Sequence, residues 1–117
     1  MHNFKNLNVW KRSVDLAVNI IGETKKFPVE YRYDLSSQLN RCGISIPSNI
    51  AEGTSRRTKK DFSRFLDIAL GSAFEMEAQL VIANRVGILE NNKAKELTSE
   101  VMEIQKMIVG FKSTIKA

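Results

Sequence analysis

A proline stands inside a stretch of this chain whose apolar spacing otherwise reads as helix. Leu35, Leu39, Cys42, Ile46 and Ile50 recur at steps of four and three, one stripe of a 3.6-residue period. Pro47 falls in the middle of that stripe, within Ser45-Ile46-Pro47-Ser48-Asn49-Ile50-Ala51-Glu52-Gly53. In a regular helix interior a proline removes one backbone donor and crowds the carbonyl one turn earlier, at roughly 3 kcal/mol. Gly43, whose carbonyl loses its partner, makes the local backbone more permissive. The expectation is a helix bent near Pro47, with Ser45, Ser48 or a water satisfying the freed carbonyl.

Four helical segments follow from the apolar pattern, over about 8–26, 31–53, 58–87 and 92–115. Trp10, Val14, Ala17 and Ile21 mark the first, widened by Val9, Leu16 and Ile20. Lys25 and Lys26 suit its last turn, and Phe27-Pro28 stops it. The second ends at Gly53, which reads as its carboxy-terminal cap. Thr58 caps the third, with Asp61 three residues on, and Gly87 ends it. Its stripe is Phe62, Phe65, Ala69, Ala73, Met76, Leu80 and Ala83. Asn91 or Asn92 caps the fourth, whose seam is Leu97, Val101, Ile104, Ile108, Phe111 and Ile115. No stretch alternates with period two. Short connections favour antiparallel neighbours, so the chain reads as one all-α domain over 1–117, an antiparallel up-down-up-down four-helix bundle.

A second stripe is harder to bury within one bundle. Leu66, Leu70, Phe74 and Val81 lie off the main seam of the third segment, and Met102 and Val109 off that of the fourth. Such residues either widen the core face or meet a second molecule. Gly71-Ser72-Ala73 is a run of small residues that permits close helix approach, with the turn around Pro47 as its natural neighbour.

Charge is concentrated. Arg56, Arg57, Lys59, Lys60 and Arg64 stand against Asp61 alone, a local +4 in a chain whose net charge is +5. Such a patch is either a solvated helix start or a site for a polyanion. Basic residues at a helix amino terminus oppose its dipole by about 0.3–1 kcal/mol each, so the choice is locally unfavourable and hints at function. The free backbone donors of that helix start favour an anion, and Arg12 and Arg32 extend the patch if packing brings them to it. Phe62 and Phe65 belong to the core stripe, so binding would be electrostatic and weakly sequence-specific.

Catalytic constellations are sparse. The only histidine is His2, so a di-iron bundle site cannot be assembled and a zinc site would lack ligands. Cys42, the single cysteine, lies on the apolar stripe without a histidine base beside it in sequence, excludes an internal disulfide, and suits a reducing cytoplasm. The glycines match neither phosphate-cradling fingerprint, so no cofactor is expected. No segment approaches the ~20 apolar residues that span a bilayer, and Met1 to Lys11 reads as neither signal peptide nor anchor.

Phe27-Pro28, Glu30, Tyr33, Leu35, Gln38, Arg41, the Ser45–Gly53 segment, Phe62, Phe65-Leu66, Ile68-Ala69, Gly71-Ser72 and Glu75 together resemble the four-helix-bundle family of 23S rRNA-intervening-sequence proteins. These are small bacterial proteins often encoded within insertions in large-subunit ribosomal RNA genes. More distantly, the chain is similar to the accessory protein of diversity-generating retroelements, a pentameric barrel that binds nucleic acid and a reverse transcriptase. The resemblance implies the bundle fold and a homo-oligomer, a pentamer by analogy with the retroelement protein, with Leu66, Leu70, Phe74 and Val81 at the interface. The polar members of the signature, Gln38, Arg41, Asn49, Glu52 and Glu75, are expected to pair in a network between the second and third helices if they face inward. Glu52 and Glu75 as paired catalytic carboxylates are the alternative for those two.

The sequence therefore points to a non-enzymatic oligomer that binds RNA or DNA through a basic rim formed by Arg56, Arg57, Lys59, Lys60 and Arg64. The competing reading is a protein-interaction scaffold that docks a partner on the second apolar stripe.

Overall fold

The computed structural model describes residues 3–115, so His2 lies outside the described residues. Helix α1 runs Asn8–Thr24, α2 Ser37–Thr54, α3 Lys59–Arg85 and α4 Asn91–Thr114, with no strand among the described residues. A short 3-10 turn, Phe4–Asn6, precedes α1 and is capped by the Asn3 side chain. It brings Phe4 edge-on to Trp10, ring centroids 5.1 Å apart.

Helix α1 ends before Lys25 and Lys26, two residues earlier than the spacing predicts. Phe27 precedes a proline and leaves the helical region, so the last turn tightens, with the Lys26 amide donating to Glu23 O and the Phe27 amide to Thr24 O. The chain then makes a 3-10 turn at Val29–Tyr31 and one wide π-helical turn at Arg32–Ser36 before α2 begins. The expected helix from residue 31 thus starts irregularly. The apolar stripe conceals this because the extra residue of the wide turn lies ahead of its fully buried members.

Helix α2 stays α-helical through Pro47, which is buried. Among the described residues neither Ser45 nor Ser48 donates to the freed Gly43 carbonyl; the local side-chain bonds centre on Ser45 instead, with Asn49 Nδ2 donating to Ser45 O at 2.8 Å and Ser45 Oγ at 2.9 Å. Ser45 Oγ in turn lies 2.8 Å from Ser72 Oγ on α3. Ser48, expected as a contributor, is exposed. The small run Gly71-Ser72-Ala73 does meet the turn around Pro47, through Ser72, while Gly71 faces open space.

Gly53 is not a cap. It lies inside α2, and the described glycine with positive φ is Gly87. A Cβ built on Gly53 would lie 2.8 Å from Phe62 Cδ1 and 3.1 Å from Phe65 Cβ, so the glycine exists to let α3 pass close by. Gly87, at φ +88°, does end α3 as predicted. The Gly87 amide donates to Asn84 O and the Ile88 amide to Ala83 O, the paired bonds of a Schellman motif.

Thr58 caps α3 by accepting from the Asp61 amide, as its sequence position predicts. Helix α4 is capped by Glu90 rather than Asn91 or Asn92: Glu90 Oε1 accepts from the Lys93 amide at 2.9 Å. Asn91 instead accepts from Asn84 Nδ2, tying α4 back to the end of α3.

Neighbours in sequence are neighbours in space, and α4 closes back on α1. Thr24 bonds Asn40, Ser45 meets Ser72, Lys112 pairs with Asp67, Gln105 bonds Glu77, and Arg12 pairs with Glu100. Ala17 lies against Gly43, Gly53 against Phe62 and Glu23 near Lys93, so along each pair of helices one number rises as the other falls; neighbours are antiparallel and the bundle runs up-down-up-down. The core is built from Leu16, Ile20, Leu39, Ile46, Ile50, Leu66, Met76, Leu80, Leu97, Val101, Ile104 and Ile108, all under 2 % exposed.

Candidate nucleic-acid interface

The basic run occupies the α2–α3 connection and the first turns of α3. Close passage at Gly53 lets the chain reverse quickly, with the Ser55 amide donating to Glu52 O and the Arg56 amide to Gly53 O, both at 3.1 Å. Arg56, Arg57 and Thr58 thereby fall at one end of the bundle, beside the amino terminus of α3 and the carboxy terminus of α4. Arg56, Arg57, Thr58, Lys59 and Phe62 line a cavity of about 350 Å³ there with Thr54, Thr114 and Ile115.

The five cations divide into two groups. Arg56 pairs with Glu52, and its guanidinium carbon lies 4.5 Å from the Phe65 ring centroid. Arg64 pairs with Asp61 at 3.4 Å, and its guanidinium carbon lies 4.8 Å from the same ring. These arginines cover a core aromatic and are half-neutralised by acids. Arg57, Lys59 and Lys60 are exposed and have no acidic partner among the described residues. The interleaving of cation and aromatic that the sequence conceals is thus real, but both guanidinium groups already occupy Phe65. Arg12 does not extend the patch, because it makes a two-point pair with Glu100 across α1 and α4, at 2.6 and 3.1 Å. Arg32 lies at the opposite bundle end, in the α1–α2 connection.

The expected polar network is not formed. Gln38, Arg41, Glu52 and Glu75 are exposed, Asn49 serves Ser45, and no ion pair joins Arg41 to Glu75 among the described residues. The reason is their angular position: they lie along the outer edge of the α2–α3 contact, where water solvates charge without a partner. Glu75 lies near Cys42, and Glu52 is ten residues farther along α2, about 15 Å along the axis at 1.5 Å per residue. These two carboxylates are not a catalytic pair. Cys42 is buried, and burial followed by the Glu75 charge pushes its thiol up from the ordinary value. Among the described residues no three His, Cys, Asp or Glu side chains converge to hold a metal ion.

The second stripe divides as well. Leu66 is wholly buried in the subunit's own core and cannot meet a second molecule, because it sits one turn from Phe62 and Ala69 on the inward face. Leu70 is partly buried against the core. Phe74 is 54 % and Val81 47 % exposed, and on α4 Met102 and Val109 are exposed too. Val81 and Met102 line one groove between α3 and α4. Missed in the sequence was a second apolar flank. Ala17 packs on Gly43, and their neighbours Val18 and Ile44 emerge exposed on the outer side of α1 and α2. Because each helix touches its sequence neighbours and α4 touches α1, these two flanks lie on opposite sides of the bundle.

A family profile described as 23S rRNA-intervening sequence protein matches residues 5–110. The chain belongs to the 23S rRNA-intervening sequence protein family. The match covers all four helices, from the turn before α1 to near the end of α4. A crystal structure from Bacteroides thetaiotaomicron, described as a protein of unknown function from the S23 ribosomal protein family, superposes with a TM-score of 0.82. It is 29 % identical and covers 89 % of this chain and 97 % of its own. No curated protein matches the chain. Among the described residues no helix of this family member is long and apolar enough to cross a membrane.

Proposed function

We propose that this protein is a non-catalytic, self-associating bundle that binds RNA or DNA through its basic tip. The observation that carries this reading is the gathering of Arg57, Lys59 and Lys60 at one bundle end, without acidic partners among the described residues, beside the free amides of the α3 amino terminus. The descriptions of the family and of its solved relative refer to ribosomal RNA and ribosomal protein, and they agree with this class of ligand.

The two opposed apolar flanks supply the assembly. Packing the α3–α4 flank of one copy on the α1–α2 flank of the next is a heterologous contact, which closes into a ring if the rotation allows it. About an axis parallel to the helices, every basic tip falls on the same rim, and the ring has five copies by the resemblance already drawn. The same α3–α4 flank docking a different protein is the second reading, favoured by the exposure of Phe74.

The test is fluorescence anisotropy with a labelled RNA hairpin and a DNA duplex between roughly 50 and 300 mM salt. Three contacting cations give a loss of about two to three log units of affinity per log unit of salt. Reversing Arg57, Lys59 and Lys60 to Glu abolishes binding with helicity intact. Absence of binding at the lowest salt, or unchanged affinity in the triple variant, overturns the reading. Sedimentation of Phe74→Glu and Ile44→Glu tests assembly: each lowers the mass of a wild-type oligomer, whereas a monomeric wild type gives the apolar flank to a partner protein.

A further inference from the structure

The bundle end opposite the basic tip holds a cavity of about 530 Å³ between the end of α1, the π-helical turn and the start of α2. That size falls within the range of small-molecule sites, ~300–1,000 Å³. Its apolar surface comes from Ile21, Phe27, Pro28 and Val29. Three side chains in its lining besides the charged Lys25 and Arg32 are polar, Thr24, Ser36 and Asn40. Ser36 lines the cavity, is only 8 % exposed, and its hydroxyl makes no hydrogen bond within the described residues. Asn40 spends its Oδ1 accepting from Thr24 Oγ1 at 2.8 Å, which leaves its Nδ2 amide free to donate. Lys25 and Arg32 stand at the cavity, exposed and without an acidic partner among the described residues.

The Ser36 hydroxyl opens onto the cavity, where it is free to bond a ligand atom. The wide turn at Arg32–Ser36 is what points Ser36 inward while leaving Arg32 outside, and such turns recur where a helix carries a site. We propose that this cavity binds a small organic anion: an apolar body against Ile21 and Phe27, and an anionic head received by Ser36, Asn40, Lys25 and Arg32. Both charged side chains at the cavity, Lys25 and Arg32, are cationic, which sets the sign of the ligand. The site is independent of the nucleic-acid reading, since the Arg57, Lys59 and Lys60 triple reversal leaves it untouched.

The probe is 4-methylbenzoate, titrated at low salt into the full chain and followed by amide and side-chain NH₂ resonances. The expected result is saturable shifts centred on Ser36, Asn40 and Arg32. The neutral isostere 4-methylbenzamide and inorganic phosphate, a head without a body, each bind at least tenfold more weakly. Arg32→Gln, at an exposed position that leaves helicity unchanged, weakens 4-methylbenzoate by about tenfold. Ser36→Ala weakens it several-fold while leaving the unliganded protein as stable or more so. Equal binding of the amide, shifts centred elsewhere, absence of saturation, or an unchanged affinity in Arg32→Gln overturns the proposal.

Discussion

Gly53→Ala is the sharpest test of how α2 and α3 fit together. The added methyl would sit 2.8 Å from Phe62 Cδ1, 3.1 Å from Phe62 Cε1 and 3.1 Å from Phe65 Cβ. None of these atoms yields easily. Phe62 is buried with its ring edge-on to Phe111 at 5.7 Å, and Phe65 Cβ is fixed to the α3 backbone beneath two arginines. Overpacking of this kind costs about 1–3 kcal/mol. Alanine returns up to ~1 kcal/mol of helix propensity, so the net loss spans about 0–3 kcal/mol and centres on about 1.5 kcal/mol. For a domain of this size that lowers Tm by roughly 5–10 °C. Gly71→Ala is the control: it is helical, exposed, with no atom within 4 Å of the added methyl, and gains about 0.5–1 kcal/mol. Urea titrations followed by circular dichroism at matched concentration measure both. If Gly53→Ala is as stable as Gly71→Ala, the close passage of the two helices described above is wrong.

Gly87→Ala forces a side chain into φ +88° and loses about 1–2 kcal/mol, whereas Gly87→Asn loses less; equal losses in urea titrations would contradict the Schellman stop. Cys42 resists iodoacetamide at neutral pH in the folded protein, because burial holds its thiol protonated. Its folded value is raised, so its contribution to stability is complete below the ordinary value of 9.0 and is lost as pH climbs past it. Cys42→Ala should therefore flatten the alkaline limb of a pH–stability curve, and rapid stoichiometric labelling of the native protein would refute the burial argument.

Helices and core were legible because a 3.6-residue period survives in any chain that buries one face of each helix. All seven apolar positions assigned to the α3 seam, Phe62 to Ala83, are buried, and Thr58 and Gly87 cap it where their chemistry requires. What the sequence hid depends on distance or angle between helices. Gly53 looks like a stop because glycine is common at helix ends, yet its role is to let Phe62 and Phe65 approach. Leu66 looks surplus to a narrow seam, but a helix packed against both α2 and α4 buries a wider arc. Glu90 is the cap because it is the extended residue at which the chain enters α4, its carboxylate accepting from the Lys93 amide, while Asn91 is held by Asn84. In the candidate site the cluster of cations was visible, but their division into two paired arginines and three free charges was not. That division depends on Glu52 and Phe65, which only folding brings within reach.

The contact of Ser45, Asn49 and Ser72 bears on how the chain avoids its own near-misses. Seams of leucine, isoleucine and alanine tolerate a slip of one helical turn, ~5.4 Å, with modest loss, because one aliphatic knob fits much like the next. The hydroxyl pair does not tolerate it. Slid by a turn, Ser45 keeps its bond from Asn49 within α2, but Ser72 would face hydrocarbon without its partner, at about 1–3 kcal/mol. The Ser45–Ser72 pair acts as an alignment key: it adds little to the stability of the correct bundle and more to the cost of a misaligned one.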